Sequence, residues 1–251
     1  MEYLAVCCRK TVIYNLDRIK KWQDDLAHKV AIRIGMYMSE LERYLGLGSF
    51  EKGRITGIRE KIVSLTDLMS WAYLKAHERY HCESPVEDHC DEEALATAYG
   101  LSIAARRADA LEFYKIPYEP LKDPLEYLYL YLTVNFTLVE LAIEHLLQPC
   151  YRDFVKYLEV DAAGARRPFS VTTLRPSSPE AGVPLRVEVR LPWRDGGGWR
   201  EKTDRGIVQI DVVGIDLAFT GPRRDLSEFT EIWTCCEKSA KVGDEDNTCG
   251  L

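Results

Sequence analysis

The chain is short of positive charge: 33 Lys and Arg stand against 40 Asp and Glu, a formal net charge of -7. That deficit argues against a general nucleic-acid binder, which needs a basic surface to displace phosphate counterions. The adjacent arginines at Arg106-Arg107, Arg166-Arg167 and Arg223-Arg224 read as solvated helix faces or loops. A long unbroken apolar run is missing too. The most apolar region, 125–147, is interrupted by Glu126, Asn135, Glu140, Glu144 and His145. A membrane span needs about 20 nearly uninterrupted apolar residues, so this stretch reads as a buried helix. The first ten residues have neither the basic start nor the apolar length of a secretory signal. A cytoplasmic protein with no membrane partner is the expectation. Cysteine is not scarce, at eight, but two adjacent pairs and scattered singles lack the pattern of a small disulfide-framed domain. Buried thiols are therefore the default expectation, with one or two disulfides expected only in a thermophile or an oxidising setting. No internal repeat is visible.

What is present divides by periodicity. Tyr3 to Cys8 and Thr11 to Tyr14 are short strand-like runs. Asn15-Leu16-Asp17 then turns into a helix through Ile19, Trp22, Leu26, Val30, Ile34 and Met38, ended by Gly46 and Gly48. A second long helix runs from about Gly53 to Cys82, its apolar stripe stepping through Ile58, Ile62, Leu65, Met69 and Tyr73. Ser84-Pro85 stops it, because proline disfavours helical geometry in the residue before it. Asp91 is placed to cap a third helix through Ala94, Ala98 and Leu101. Two further helical segments are expected at about 125–148 and 150–159.

Beyond Gly164 the pattern alternates with period two. Leu185, Val187, Val189 and Leu191 form one strand and Val208, Ile210 and Val212 another, with Gly196-Gly197-Gly198 as a long hairpin loop between them. The expected fold is α+β: a mainly helical core over 1–163 with short N-terminal strands, and a small antiparallel β appendage over 164–238. Residues 239–251, rich in Asp, Glu and Gly, are expected to be disordered.

Histidine is also sparse, five in all, yet two of them stand four apart in His77-Glu78-Arg79-Tyr80-His81. Steps of four along the second helix's apolar stripe land on both, so the pair faces the core. Imidazoles at i and i+4 project from one helix face and can take two corners of a tetrahedral zinc site. The glutamate between them is placed to deprotonate a water. By chance the pentapeptide would arise in roughly one such sequence in a hundred, so a third ligand is needed to give it meaning. The third helix offers Glu92 and Glu93, and a loop before it offers His89 and Cys90. Cys82 follows His81 directly and points about a quarter-turn away, which disfavours a closed structural site using both.

These residues resemble the gluzincin class of zinc metallopeptidases, in which a second helix adds a glutamate in the pattern Glu-x-x-x-Asp/Asn. Here the matching segment is Glu93-Ala94-Leu95-Ala96-Thr97, beginning twelve positions after His81. The resemblance covers roughly 55–110. It implies zinc held by His77, His81 and Glu93, with Glu78 as general base in peptide hydrolysis and a peptide or protein as substrate. Thr97 stands where the family orients a histidine with Asp or Asn, and Arg79 is charged where the family is usually uncharged. His89 is the rival third ligand. Tyr99, His145, Tyr151 and Arg152 are candidates by type alone to stabilise an oxyanion. The strands at Tyr3 to Tyr14 could supply an edge for substrate. The alternative reading is a non-catalytic structural or interaction protein with a structural metal or none.

Overall fold

The computed structural model describes residues 4–8, 10–45, 52–82, 89–110, 124–146, 152–162, 165–168, 185–191, 198–203, 206–214, 216–222 and 230–234. The chain is an α+β protein. Strands β1 (Ala5–Cys8) and β2 (Thr11–Asn15) lead into helices α1 (Leu16–Leu45), α2 (Lys52–His81), α3 (His89–Ala110) and α4 (Pro124–Leu146). A short 3-10 helix over Arg152–Tyr157 passes into β3 (Leu158–Ala162), followed by β4 (Ala165–Pro168), β5 (Leu185–Leu191), β6 (Gly198–Thr203), β7 (Gly206–Gly214), β8 (Asp216–Phe219) and β9 (Thr230–Thr234). The expected disordered tail, 239–251, lies outside the described residues.

Local chemistry sets the helix ends. The Asn15 side-chain oxygen accepts the backbone N–H of Arg18 at 3.1 Å, capping α1 three residues on. At the other end of α2, the Cys82 N–H donates to the carbonyls of Glu78 and Arg79 at 3.2 and 3.1 Å, closing the last turn. Asp91 does not cap α3 as the sequence suggested. The helix starts two residues earlier, so His89 and Cys90 belong to its first turn rather than to a loop, and Asp91 there faces the positive end of the helix dipole.

The four helices enclose one core. Leu26, Val30 and Ile34 of α1, Leu65 and Met69 of α2, Ala94, Ala98 and Leu101 of α3, and Leu138 and Leu141 of α4 are all buried in it. Helices α2 and α3 share the most extensive packing. Their contact is close at Gly100 of α3, which has no side chain to hold off the Tyr73 ring of α2. Helix α1 is fastened to α4 by Lys29–Glu144 at 3.1 Å and by Arg33–Glu140. Between α2 and α4 the buried hydroxyls of Thr66 and Thr137 lie 3.3 Å apart, and Thr137 donates to the Thr133 carbonyl at 2.7 Å.

Three small sheets surround this bundle, in the strand orders β1-β2-β9, β4-β3-β8 and β5-β7-β6. Two strands from beyond residue 164 return to earlier parts of the chain. Strand β9 lies parallel to β2, Thr11 opposite Thr230, and β8 lies antiparallel to β3, Leu158 opposite Phe219. The helical segment expected at 150–159 is, among the described residues, a 3-10 helix over Arg152–Tyr157 that buries Phe154 and passes into β3 at Leu158. Nor do β5 and β7 form a hairpin. They pair in parallel, and β6, which the glycine run opens, supplies the antiparallel neighbour of β7. Alternation reports which residues share a face, not which strand lies alongside.

Cys7 of β1 and Cys82 at the end of α2 form a disulfide. Cys90 is disulfide-bonded as well. The expectation of buried free thiols is thereby corrected for these residues. An aromatic cluster lies beside the first bond: Tyr14 stacks on Trp233 of β9 at 4.7 Å and meets Trp71 of α2 edge-on at 5.3 Å. Among the described residues no helix is long and apolar enough to cross a membrane.

Candidate metal centre

The last turns of α2 and the first turns of α3 bring His77, His81 and Glu93 together, with one ligand atom of each within 4.8 Å of the others. The two imidazole Nε2 atoms are 3.1 Å apart. Glu93 presents Oε2 to His77 Nε2 and Oε1 to His81 Nε2, each at 3.5 Å. A tetrahedral cation with bonds of 2.0–2.1 Å has ligand atoms separated by roughly 3.3 Å, and the Nε2–Nε2 distance and the distance from each Nε2 to its nearer Glu93 oxygen are of that order. Two nitrogens and a carboxylate are also a donor set that suits zinc. The residues fit the ion that the motif implies.

The electrostatics follow from burial and charge. Burial works to lower the His81 imidazole, but the carboxylates of Glu92, 3.4 Å from Nδ1, and Glu93 outweigh it and raise its pKa to about 9. His77 is more deeply enclosed, and burial holds it below the usual histidine range despite Glu93. Burial also opposes ionisation of Glu93, yet the two imidazoles beside it hold its carboxyl well below the ordinary carboxylate range. Glu78 is pushed up by burial to about 8, with His81 pulling the other way and Glu93 adding to the rise. Such a carboxyl is poised near neutrality, the range in which proton transfer is most useful.

Arg79, in the middle of the motif, does not face this cluster. Two residues after His77 the helix has turned by about 200°. Its guanidinium instead pairs with Glu231 of β9, which Lys75 also reaches at 3.0 Å. The charge at that position therefore serves the junction between α2 and the N-terminal sheet. Tyr80 likewise points away, packing on Tyr99 and Phe219 and donating to the Pro222 carbonyl at 3.2 Å.

His89, the rival ligand, begins α3 on an exposed turn and is not part of the cluster. Tyr99 serves packing, Tyr151 lies outside the described residues, and Arg152 opens the 3-10 helix. His145 is the downstream candidate that comes close. Its ring stacks 5.9 Å from that of His77, and burial lowers its pKa to about 3, keeping it neutral. Thr97, one turn after Glu93, is fully buried, with its hydroxyl 3.4 Å from His145 Nδ1.

Of two further neighbours of the site, one was not singled out by its sequence position and the other was named only beside Glu93 as a candidate third ligand. Tyr73 precedes His77 by one helical turn and its hydroxyl lies 3.4 Å from His77 Nδ1, but on an apolar stripe a tyrosine reads as core. Glu92 was one of two adjacent acids. Both reach the cluster, Glu93 between the imidazoles and Glu92 at the outer nitrogen of His81.

No protein-family model, curated protein or solved structure matches the chain.

Proposed function

We propose that the protein is a zinc-dependent hydrolase, most directly a metallopeptidase acting on a peptide or protein. The observation that carries this reading is the convergence of His77, His81 and Glu93, with the two Nε2 atoms 3.1 Å apart and each 3.5 Å from a different Glu93 oxygen, beside a desolvated Glu78. His77, His81 and Glu93 would hold the ion. When bound, zinc supplies Lewis acidity sufficient to bring the pKa of a water near 7. Glu78 takes up a proton at its carboxylate from the attacking water and hands it to the leaving nitrogen. Its raised pKa suits both halves of that exchange, and the adjacent cation would draw it downward into the ionised form.

The gluzincin resemblance supports the assignment of each role, and the chain's own residues account for the charged Arg79. Substrate would lie along the outer edge of β1, which among the described residues pairs only with β2. A cytoplasmic location goes with this reading. The Cys7–Cys82 bond then narrows it to a cell whose interior sustains cystines, as those of hyperthermophiles do.

A non-catalytic reading has one observation in its favour: His81 is flanked by Glu92 and Glu93, a pairing that satisfies the imidazolium without any metal. Metal content separates the two. Purified protein should hold about one zinc per chain, and His77→Ala should lose it. Glu78→Gln should keep the zinc while abolishing cleavage of a peptide library. A wild-type protein free of stoichiometric zinc would leave only the metal-free reading.

A further inference from the structure

Behind the donor triangle a second row of side chains forms a hydrogen-bonded chain. The buried Tyr73 hydroxyl lies 3.4 Å from His77 Nδ1 and also makes a close hydrogen bond to His145 Nε2. His145 Nδ1 in turn faces the Thr97 hydroxyl at 3.4 Å. The four residues come from three helices, α2, α3 and α4, and they meet on the side of His77 that faces away from Glu93.

The direction of this chain follows from valence. A metal-ligating Nε2 must offer its lone pair, so the one proton of a neutral His77 resides on Nδ1. The Tyr73 oxygen lies 3.4 Å from that nitrogen, and the Ala96 backbone carbonyl is a further acceptor beside the ring. A hydroxyl that accepts there still has its own proton to give, and the nitrogen facing it is His145 Nε2. His145 then carries its proton on Nδ1, where the Thr97 oxygen accepts it. Each of these three links can then have one donor and one acceptor, and the Thr97 hydroxyl also bonds that of Tyr73.

We propose that Tyr73 is the positioning residue for His77: its hydroxyl accepts Nδ1–H and locks the ligand in the tautomer that presents Nε2 to the ion. His145 and Thr97 complete the lock by accepting in sequence. The proposal rests on the metal reading above. It also accounts for a threonine at position 97, where a carboxylate would be expected to orient a histidine. Orientation has passed to a tyrosine one turn before the ligand, and Thr97 needs only to close the chain. Outer partners of this kind commonly change metal affinity by 10- to 100-fold when removed.

The test uses the full chain and zinc alone. Tyr73→Phe keeps the ring and deletes the hydroxyl. Zinc affinity, measured by competition with a chromophoric chelator, should fall about 10- to 100-fold, and the visible spectrum of the cobalt(II) form should change. The metal-free variant should still unfold cooperatively, its melting temperature lowered only by the loss of the hydroxyl's hydrogen bond to His145. Affinity within twofold of a zinc-binding wild type overturns this proposal and leaves the metal reading standing. Absence of stoichiometric zinc in the wild type overturns both. If Tyr73→Phe does not fold, nitrogen-15 spectra of the zinc-loaded wild type decide. A slowly exchanging His77 Nδ1 proton with a cross-peak to the Tyr73 ring supports the lock, and a rapidly exchanging one overturns it.

Discussion

The ring of Tyr73 occupies the place where a side chain at Gly100 would be: a methyl group there would lie 2.9 Å from Cδ2 and Cε2 and 3.1 Å from the Tyr73 carbonyl oxygen. Helix α3 is thus notched opposite the residue that backs His77. The notch permits the close approach of α2 and α3 that brings Glu93 to the two imidazoles.

Gly100→Ala should therefore destabilise the protein, although alanine favours a helix by about 1 kcal/mol over glycine. Overpacking against a buried ring costs roughly 1–3 kcal/mol, which exceeds that gain. Urea unfolding should show a lower midpoint, and zinc affinity should drop with it. An unchanged midpoint would mean that α3 yields at no cost.

Zinc uptake should release a proton from His81. With its pKa raised to about 9 by the two carboxylates, His81 is protonated at pH 7 in the metal-free protein, and the ion has to replace that proton. Affinity should rise by about tenfold per pH unit between pH 7 and 9 and flatten above, where the imidazole is already neutral. Calorimetry in buffers of different ionisation enthalpy would count the protons. None released at pH 7 would contradict the charge assigned to His81.

The Cys7–Cys82 bond closes a loop across 75 positions of sequence, and its second half-cystine adjoins His81 of the candidate metal centre. Replacing Cys82 with serine should lower stability by roughly 2–5 kcal/mol, since the cross-link mainly restricts the unfolded chain. Denaturant unfolding of oxidised wild type against the variant measures this directly. Equal midpoints would show that the cross-link does not contribute.

Glu231 gives an acid-dependent signature. Burial opposes its ionisation, but Lys75 and Arg79 outweigh that and lower its pKa below the ordinary glutamate value. A carboxyl held low contributes stability above its unfolded pKa and loses that contribution as pH falls through the folded one. Glu231→Gln should cost about 1 kcal/mol at pH 7, a modest figure because the cations are partly exposed. The gap between variant and wild type should vanish in strong acid. A gap that persists there would assign the effect to packing.

Much of the helical part was legible because its signals are local and periodic. The stripe Ile62, Leu65, Met69, Tyr73 continues onto His77, and that continuity alone put the histidines on the inner face. Glu93 was legible through the pattern of Glu93-Ala94-Leu95-Ala96-Thr97 on the following helix. The neighbours were not. Tyr73 and His145 stand 72 positions apart, and nothing in either segment records that α4 returns beside α2. Strand pairing was hidden for the same reason: β5 and β7 carry the alternation of any half-buried strand, which says nothing of parallel or antiparallel partners. The disulfide joined two cysteines, each of which had looked like an ordinary buried thiol.

The pairing of β9 with β2 sets an order of events during synthesis. Thr234 donates its hydroxyl to the Tyr14 carbonyl at 3.1 Å, across 220 positions of sequence. The four helices can gather as they leave the ribosome, whereas β2 keeps one edge unpaired until Thr230–Thr234 has been made. Contacts so distant in sequence form slowly, because a long loop must close first. The hairpin of β1 and β2, whose cystine adjoins His81, is thus completed by a strand translated about 220 positions after it.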